Sequence, residues 1–101
     1  MIVKDVTKYL EKIAPLHLQE SYDNSGLQVG DYNSEVKGVL VSLDVTLEVI
    51  EDAINQKCNL IVAHHPVIFG EIKNVTNNSP TGSIVFKAIK NEINIYAIHT
   101  N

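Results

Sequence analysis

Apolar side chains recur along this chain with two different periods, and the changes of period mark out its elements. Val6, Tyr9, Leu10 and Ile13 fall at helical spacing behind Asp5, a residue suited to capping, so the chain is expected to open with an amphipathic helix that Pro15 ends. Residues 17 to 35 are polar and rich in turn formers. Asp23-Asn24-Ser25-Gly26 and Gly30-Asp31-Tyr32-Asn33 flank the short apolar run Leu27-Gln28-Val29. Gly38-Val39-Leu40-Val41-Ser42-Leu43 is then nearly continuous in apolar residues, the pattern of a strand covered on both faces in a parallel sheet. Thr46 can cap a helix over 46–57 in which Leu47, Ile50 and Ile54 form one stripe, with Val49 and Ala53 beside it. Leu60-Ile61-Val62-Ala63 reads as a second buried strand. A helix over 83–91, begun by Ser83 or Thr81, carries Ile84, Val85, Ala88 and Ile89, and Ile93 to Ile98 supplies a third strand. The pattern predicts one α/β domain over residues 1–101 with a parallel β-α-β-α-β sheet, half of a three-layer arrangement, and no interdomain linker.

That topology orders the candidate chemistry. In open parallel sheets, ligands bind beyond the carboxyl ends of the strands. Asp44 follows the first strand, His64 and His65 the second, and His99, Thr100 and Asn101 the third. The connection from Pro66 to Gly82 leaves the same edge and is longer than most of its kind, which favours a functional role. Adjacent histidines bring four ring nitrogens that need partners. Neutral imidazole is the commonest nitrogen ligand for zinc, iron, manganese and related ions. Pro66 pushes His65 toward extended backbone, where successive side chains point to opposite sides, so the pair suits two ions, or one ion and a substrate, better than one shared ion. Spacing alone leaves metal binding and hydrogen bonding to the loop equally open. Asp44 lies just before a helix, where capping is the commoner role of a carboxylate. His99 is open between a proton shuttle, a partner behind the ligands and a structural histidine. Cys58 reads as a small core residue.

Composition narrows the classes of partner. Hydrophobic residues make up 45% of the chain and charged residues 20%, which excludes a disordered or low-complexity protein. The net charge is −4 and there is no arginine, so neither a basic stripe nor guanidinium forks are present and direct nucleic-acid binding is not expected. A single cysteine excludes an internal disulfide and a four-thiolate zinc site, and suits a reducing cytoplasm. Apolar runs are only strand-length and no signal-peptide core is present, so no membrane role is expected. The glycines form neither a dinucleotide-binding nor a Walker pattern.

Four motifs in order carry a resemblance. Ser21-Tyr22-Asp23-Asn24-Ser25-Gly26-Leu27-Gln28-Val29-Gly30, Leu43-Asp44-Val45-Thr46, His64-His65-Pro66-Val67-Ile68-Phe69 and Tyr96-Ala97-Ile98-His99-Thr100-Asn101 resemble the Nif-three-like family. Its members are often labelled GTP cyclohydrolase I type 2 or YbgI-type proteins. Tyr22 stands where the family usually has tryptophan, and keeps an aromatic ring there. The resemblance implies a dinuclear site holding two divalent ions per full-length chain, zinc, manganese or iron, with His64 and His65 as ligands. It implies that a bridging Asp beyond Asn101 and a later His and Glu complete the site, so this chain is expected to be the N-terminal part of a longer protein. A ring-shaped homohexamer is implied, as is a metal-dependent hydrolase in which His99 or Asp44 moves a proton. The family label points to opening of the guanine imidazole ring of GTP, while the lack of arginine argues against a triphosphate clamp. The alternative is a non-catalytic metal-binding, metal-handling or regulatory protein.

Overall fold

The three apolar runs pair side by side as parallel strands in the computed structural model, which describes residues 1–101. In chain order the elements are α1 (Val3–Ile13), a short 3-10 turn (Leu16–Leu18), β1 (Gly26–Val29), β2 (Val39–Ser42), α2 (Leu47–Asn55), β3 (Leu60–Ala63), α3 (Pro80–Lys90) and β4 (Asn94–Ala97). The sheet has the order β1-β4-β3-β2. It is mostly parallel but mixed, because β1, which the sequence pattern left among turns, pairs antiparallel with β4. This strand is four residues long and its register shifts between Leu27 and Val29, so it never displays a clean alternation. It ends at Gly30, whose φ of 139° suits glycine, and a Cβ there would come within 2.1 Å of the Asn94 side chain.

Alternation along the strands divides the residues between two faces. Leu40, Ile61, Ala63 and Ile95 meet Ile50 and Ala53 of α2 and Val85 and Ala88 of α3 in the main core. On the other face Leu60 and Tyr96 are fully buried, and α1 lies beside β1 with Val3 and Thr7 turned inward. The Tyr96 hydroxyl has no hydrogen-bond partner; burial, then the nearby Glu11 and Tyr32, push its pKa up to about 12. The expectation that the first apolar run is covered on both faces is overturned. β2 is an edge strand, and Val39 and Val41, on the face away from α2 and α3, are 46% and 80% exposed.

Helix starts follow their caps. α1 begins earlier than expected: Ile2 is the cap residue, and Asp5 sits within the first turn with its Oδ2 accepting from the Ile2 amide at 2.9 Å. Thr46 caps α2 as predicted, its Oγ1 accepting from the Val49 amide at 3.1 Å. α3 starts at Pro80 instead of Ser83 or Thr81, with Ser79 Oγ accepting from the Gly82 amide at 3.0 Å. Proline suits a first helical position, where its missing N–H is no loss. Gly82 lets the preceding loop lie against the helix, since a Cβ there would stand 2.3 Å from the Thr76 carbonyl oxygen. No helix is long and apolar enough to cross a membrane.

Candidate metal centre

Parallel register brings the chemistry to one edge. Ser42 pairs with Ala63 and Ala63 with Ala97, so Asp44, His64, His65 and His99 leave the sheet just beyond one line of paired residues. The His64 amide donates to the Ser42 carbonyl at 3.2 Å and the His65 amide to the Leu43 carbonyl at 3.0 Å, which carries the ladder one step past the strand. The chain bends at these two residues. The two rings do not diverge as an extended pair's side chains are expected to: their centroids lie 4.9 Å apart. The His99 ring joins them at 5.2 Å from His64 and 5.5 Å from His65. Each of the three offers a ring nitrogen within 4.8 Å of the other two.

One nitrogen of each ring is already engaged. His64 Nδ1 donates to the Ile98 carbonyl at 3.1 Å, His65 Nδ1 to Asp44 Oδ1 at 2.5 Å, and His99 Nδ1 to Asp23 Oδ1 at 3.1 Å. A carbonyl or ionised carboxylate can only accept, which assigns a proton to Nδ1 in all three rings and, in the neutral imidazole, leaves Nε2 with its lone pair. Asp44 thus does not cap α2, the role that carboxylates before a helix most often take; Thr46 fills the cap and Asp44 holds an imidazole.

Asp23 was not among the candidates read from sequence. Its side chain has no exposed surface. It accepts from the Asn24 amide at 2.7 Å, the Thr100 amide at 2.8 Å, Ser25 Oγ at 3.2 Å, Thr100 Oγ1 and His99. Burial alone would raise the carboxyl's pKa, but the hydrogen bonds from Thr100, Asn24 and His99 outweigh it and hold the group well below the usual carboxylate range. The neighbouring turn grips the histidine loop as well. Asn24 Nδ2 donates to the Ile68 carbonyl at 2.8 Å, and the Ile68 amide donates to Gln28 Oε1 at 3.3 Å. In the sequence Asp23 appears within a turn, which by itself reads as local structure, and within the first motif of the resemblance, which assigns it no role.

Three imidazoles anchored through Nδ1 form a donor set that fits a divalent ion of the zinc, manganese or iron class. Nitrogens around one tetrahedral zinc stand about 3.3 Å apart, from Zn–N bonds of about 2.05 Å. Each pair here, lying within 4.8 Å, needs to close by no more than about 1.5 Å. A cavity of about 670 Å³ lies at the opposite edge between Gly30, Asp31, Lys37, Asn59, Glu92 and Asn94. The side-chain amides of Asn59 and Asn94 there are spent on backbone partners, and none of the histidines lines it.

The fold and this edge define an α/β domain with a histidine cluster beyond the carboxyl ends of its parallel strands. The chain belongs to the Duf34/NIF3 (NGG1p interacting factor 3) family, which matches it over residues 1–101. A GTP cyclohydrolase 1 type 2 homolog of Clostridium acetobutylicum is 41% identical over 99 residues, covering 98% of this chain and 37% of the relative. A crystal structure of a Staphylococcus aureus protein superposes with a TM-score of 0.94 at 42% identity, over 99% of this chain and 32% of that one. A Bacillus cereus protein related to NIF3 gives a TM-score of 0.91 at 42% identity, over 99% and 28%. The chain spans only 28% to 37% of these relatives' lengths.

Proposed function

We propose that this chain supplies the imidazole ligands of a divalent-metal site in a metal-dependent hydrolase. The observation that carries the reading is the clustering of the three rings together with the commitment of every Nδ1 to a protein acceptor, which leaves Nε2 as the nitrogen of each ring open to a ligand. His64 and His65 are the ligands named by the family resemblance, and the reading adds His99 as a third in place of a proton shuttle. A bound ion supplies Lewis acidity and a water activated near neutral pH. Asp44 orients His65 through Oδ1, and its half-exposed carboxylate leaves Oδ2 able to take a proton from an incoming water. The name of the Clostridium relative brings a guanine nucleotide to this chain as the proposed substrate. With no arginine in the chain and only Lys73 in the loop over 64–79, these residues are read as metal ligands and not as a triphosphate clamp.

A second reading, a metal-binding module without turnover, is favoured by the position of the 670 Å³ cavity at the far edge of the sheet, away from the histidines. The two are separated by titrating the protein with zinc and manganese while assaying a panel of nucleotides and phosphoesters. Turnover that follows occupancy supports the hydrolase. Tight binding without turnover supports the module, and no binding that depends on the three histidines refutes both.

A further inference from the structure

We infer that Asp23 is a positioning residue for the histidine cluster, fixing His99 in the tautomer whose Nε2 is bare and holding that ring against His64 and His65. The inference rests on the metal-site reading for its purpose, but its geometric content is independent of any ion. Asp23 comes from a turn far from β4 in sequence, and its two oxygens divide their work. Oδ1 accepts from the Asn24 amide and from His99 Nδ1, while Oδ2 accepts from the Thr100 amide, Thr100 Oγ1 and Ser25 Oγ. Thr100 is further tied down, since its Oγ1 accepts from the Glu20 amide at 2.8 Å. The carboxylate therefore clamps the backbone on both sides of the contact it makes to the ring.

Several features separate this arrangement from a chance contact. Every hydrogen bond of Asp23 comes from a donor, so a buried acceptor-only group meets His99 and the imidazole has to present N–H to it. A solvent-facing imidazole has no such constraint and can carry its proton on either nitrogen. The same turn holds the other histidine-bearing segment through Asn24 and Gln28 on Ile68, so one short stretch sets the relative position of β4's end and the loop that follows His65. His64 reaches the same tautomer by a different route, through the Ile98 carbonyl, and so serves as an internal control.

The test is nitrogen-15 NMR of the histidine rings in metal-free protein in mildly alkaline solution, with His99→Gln used to assign the His99 signals. Wild type is expected to show His99 protonated at Nδ1 and bare at Nε2. Asp23→Ala is expected to shift His99 toward the Nε2–H tautomer while His64 is unchanged. Zinc affinity, measured in parallel, is expected to fall about 10- to 100-fold, the usual effect of removing a ligand's hydrogen-bond partner. If Asp23→Ala does not fold, the wild-type spectrum still decides, because an Nε2–H His99 there overturns the inference. An unchanged His99 tautomer in a folded Asp23→Ala protein overturns it as well. Failure of wild type to bind zinc refutes the metal-site reading and leaves the tautomer result standing on its own.

Discussion

Replacing Asp44 by alanine separates two roles for a carboxylate that the sequence alone leaves mixed. The side chain touches one partner, His65 Nδ1, at 2.5 Å, and the two groups are 57% and 40% exposed. Water screens a pair that open, so its contribution to folding is at most about 1 kcal/mol. No helix cap is lost, because Thr46 already accepts from the Val49 amide. The ring, by contrast, loses the one group that fixes its tautomer and rotation. Removing such a partner costs about 10- to 100-fold in metal affinity, or about 1.4–2.8 kcal/mol. Asp44→Ala should therefore shift the urea midpoint little while weakening zinc binding by at least tenfold. Asp44→Asn, which keeps an acceptor oxygen, should fall between alanine and wild type. Urea denaturation and isothermal titration with zinc on the same preparations make the measurement. A loss of several kcal/mol in stability would show Asp44 to be structural, and a zinc affinity within about threefold of wild type would remove its orienting role.

Thr46→Ala removes the cap of α2 and should cost about 1 kcal/mol in urea denaturation, with zinc affinity preserved; a neutral result would mean that Asp44 takes over the cap. Gly82→Ala sets helix propensity, which favours alanine by about 1 kcal/mol, against a backbone oxygen at 2.3 Å. The Thr76 carbonyl cannot swing away as a side-chain tip would, so a net destabilisation of about 1–3 kcal/mol is expected, and a rise in stability would refute the close packing of loop on helix. Tyr96 has its folded pKa raised from 10.0 to about 12, so its neutral form contributes stability below about pH 10 that is lost as pH rises toward 12. Tyr96→Phe should be neutral or stabilising near neutral pH, since the hydroxyl has no partner, and should unfold less steeply across that alkaline window; equal slopes for the two proteins would count against the buried phenol.

The parallel core was legible because its information is local and repeated. Leu60 to Ala63 and the helical stripe on Leu47, Ile50 and Ile54 each state their period within a few residues, and parallel strands then place Asp44, His64, His65 and His99 on one edge by topology alone. β1 was not legible, since a four-residue strand with an irregular register acquires its identity only from β4, which lies far along the chain. The exposed face of β2 was not legible for the opposite reason: an apolar run reports what can be buried, and Val41 lies on an edge strand with 80% of its surface exposed. The closeness of the His64 and His65 rings was not legible either, since the chain bends there while the two amides keep following β2 beyond the strand, a contact that local spacing does not state.

The two carboxylates in the cluster show why local reading found one and missed the other. Asp44 sits two residues before a threonine that caps better, so the sequence offered two candidates for a single cap, and the spare carboxylate at a strand end was already a clue. Asp23 offered no spare. Asp-Asn-Ser-Gly is complete as a turn, and one local bond, from the Asn24 amide, satisfies what a turn asks of its aspartate. What sets Asp23 apart is burial, because a carboxylate without exposed surface is tolerated only when donors surround it, and three of its donors come from His99 and Thr100. Burial also divides the two in chemistry. Asp23 has both oxygens saturated and can only hold its ring, whereas Asp44 keeps an oxygen without a protein partner at the solvent edge. If proton transfer takes place at this cluster, the physical requirement for a free acceptor selects Asp44 and excludes Asp23.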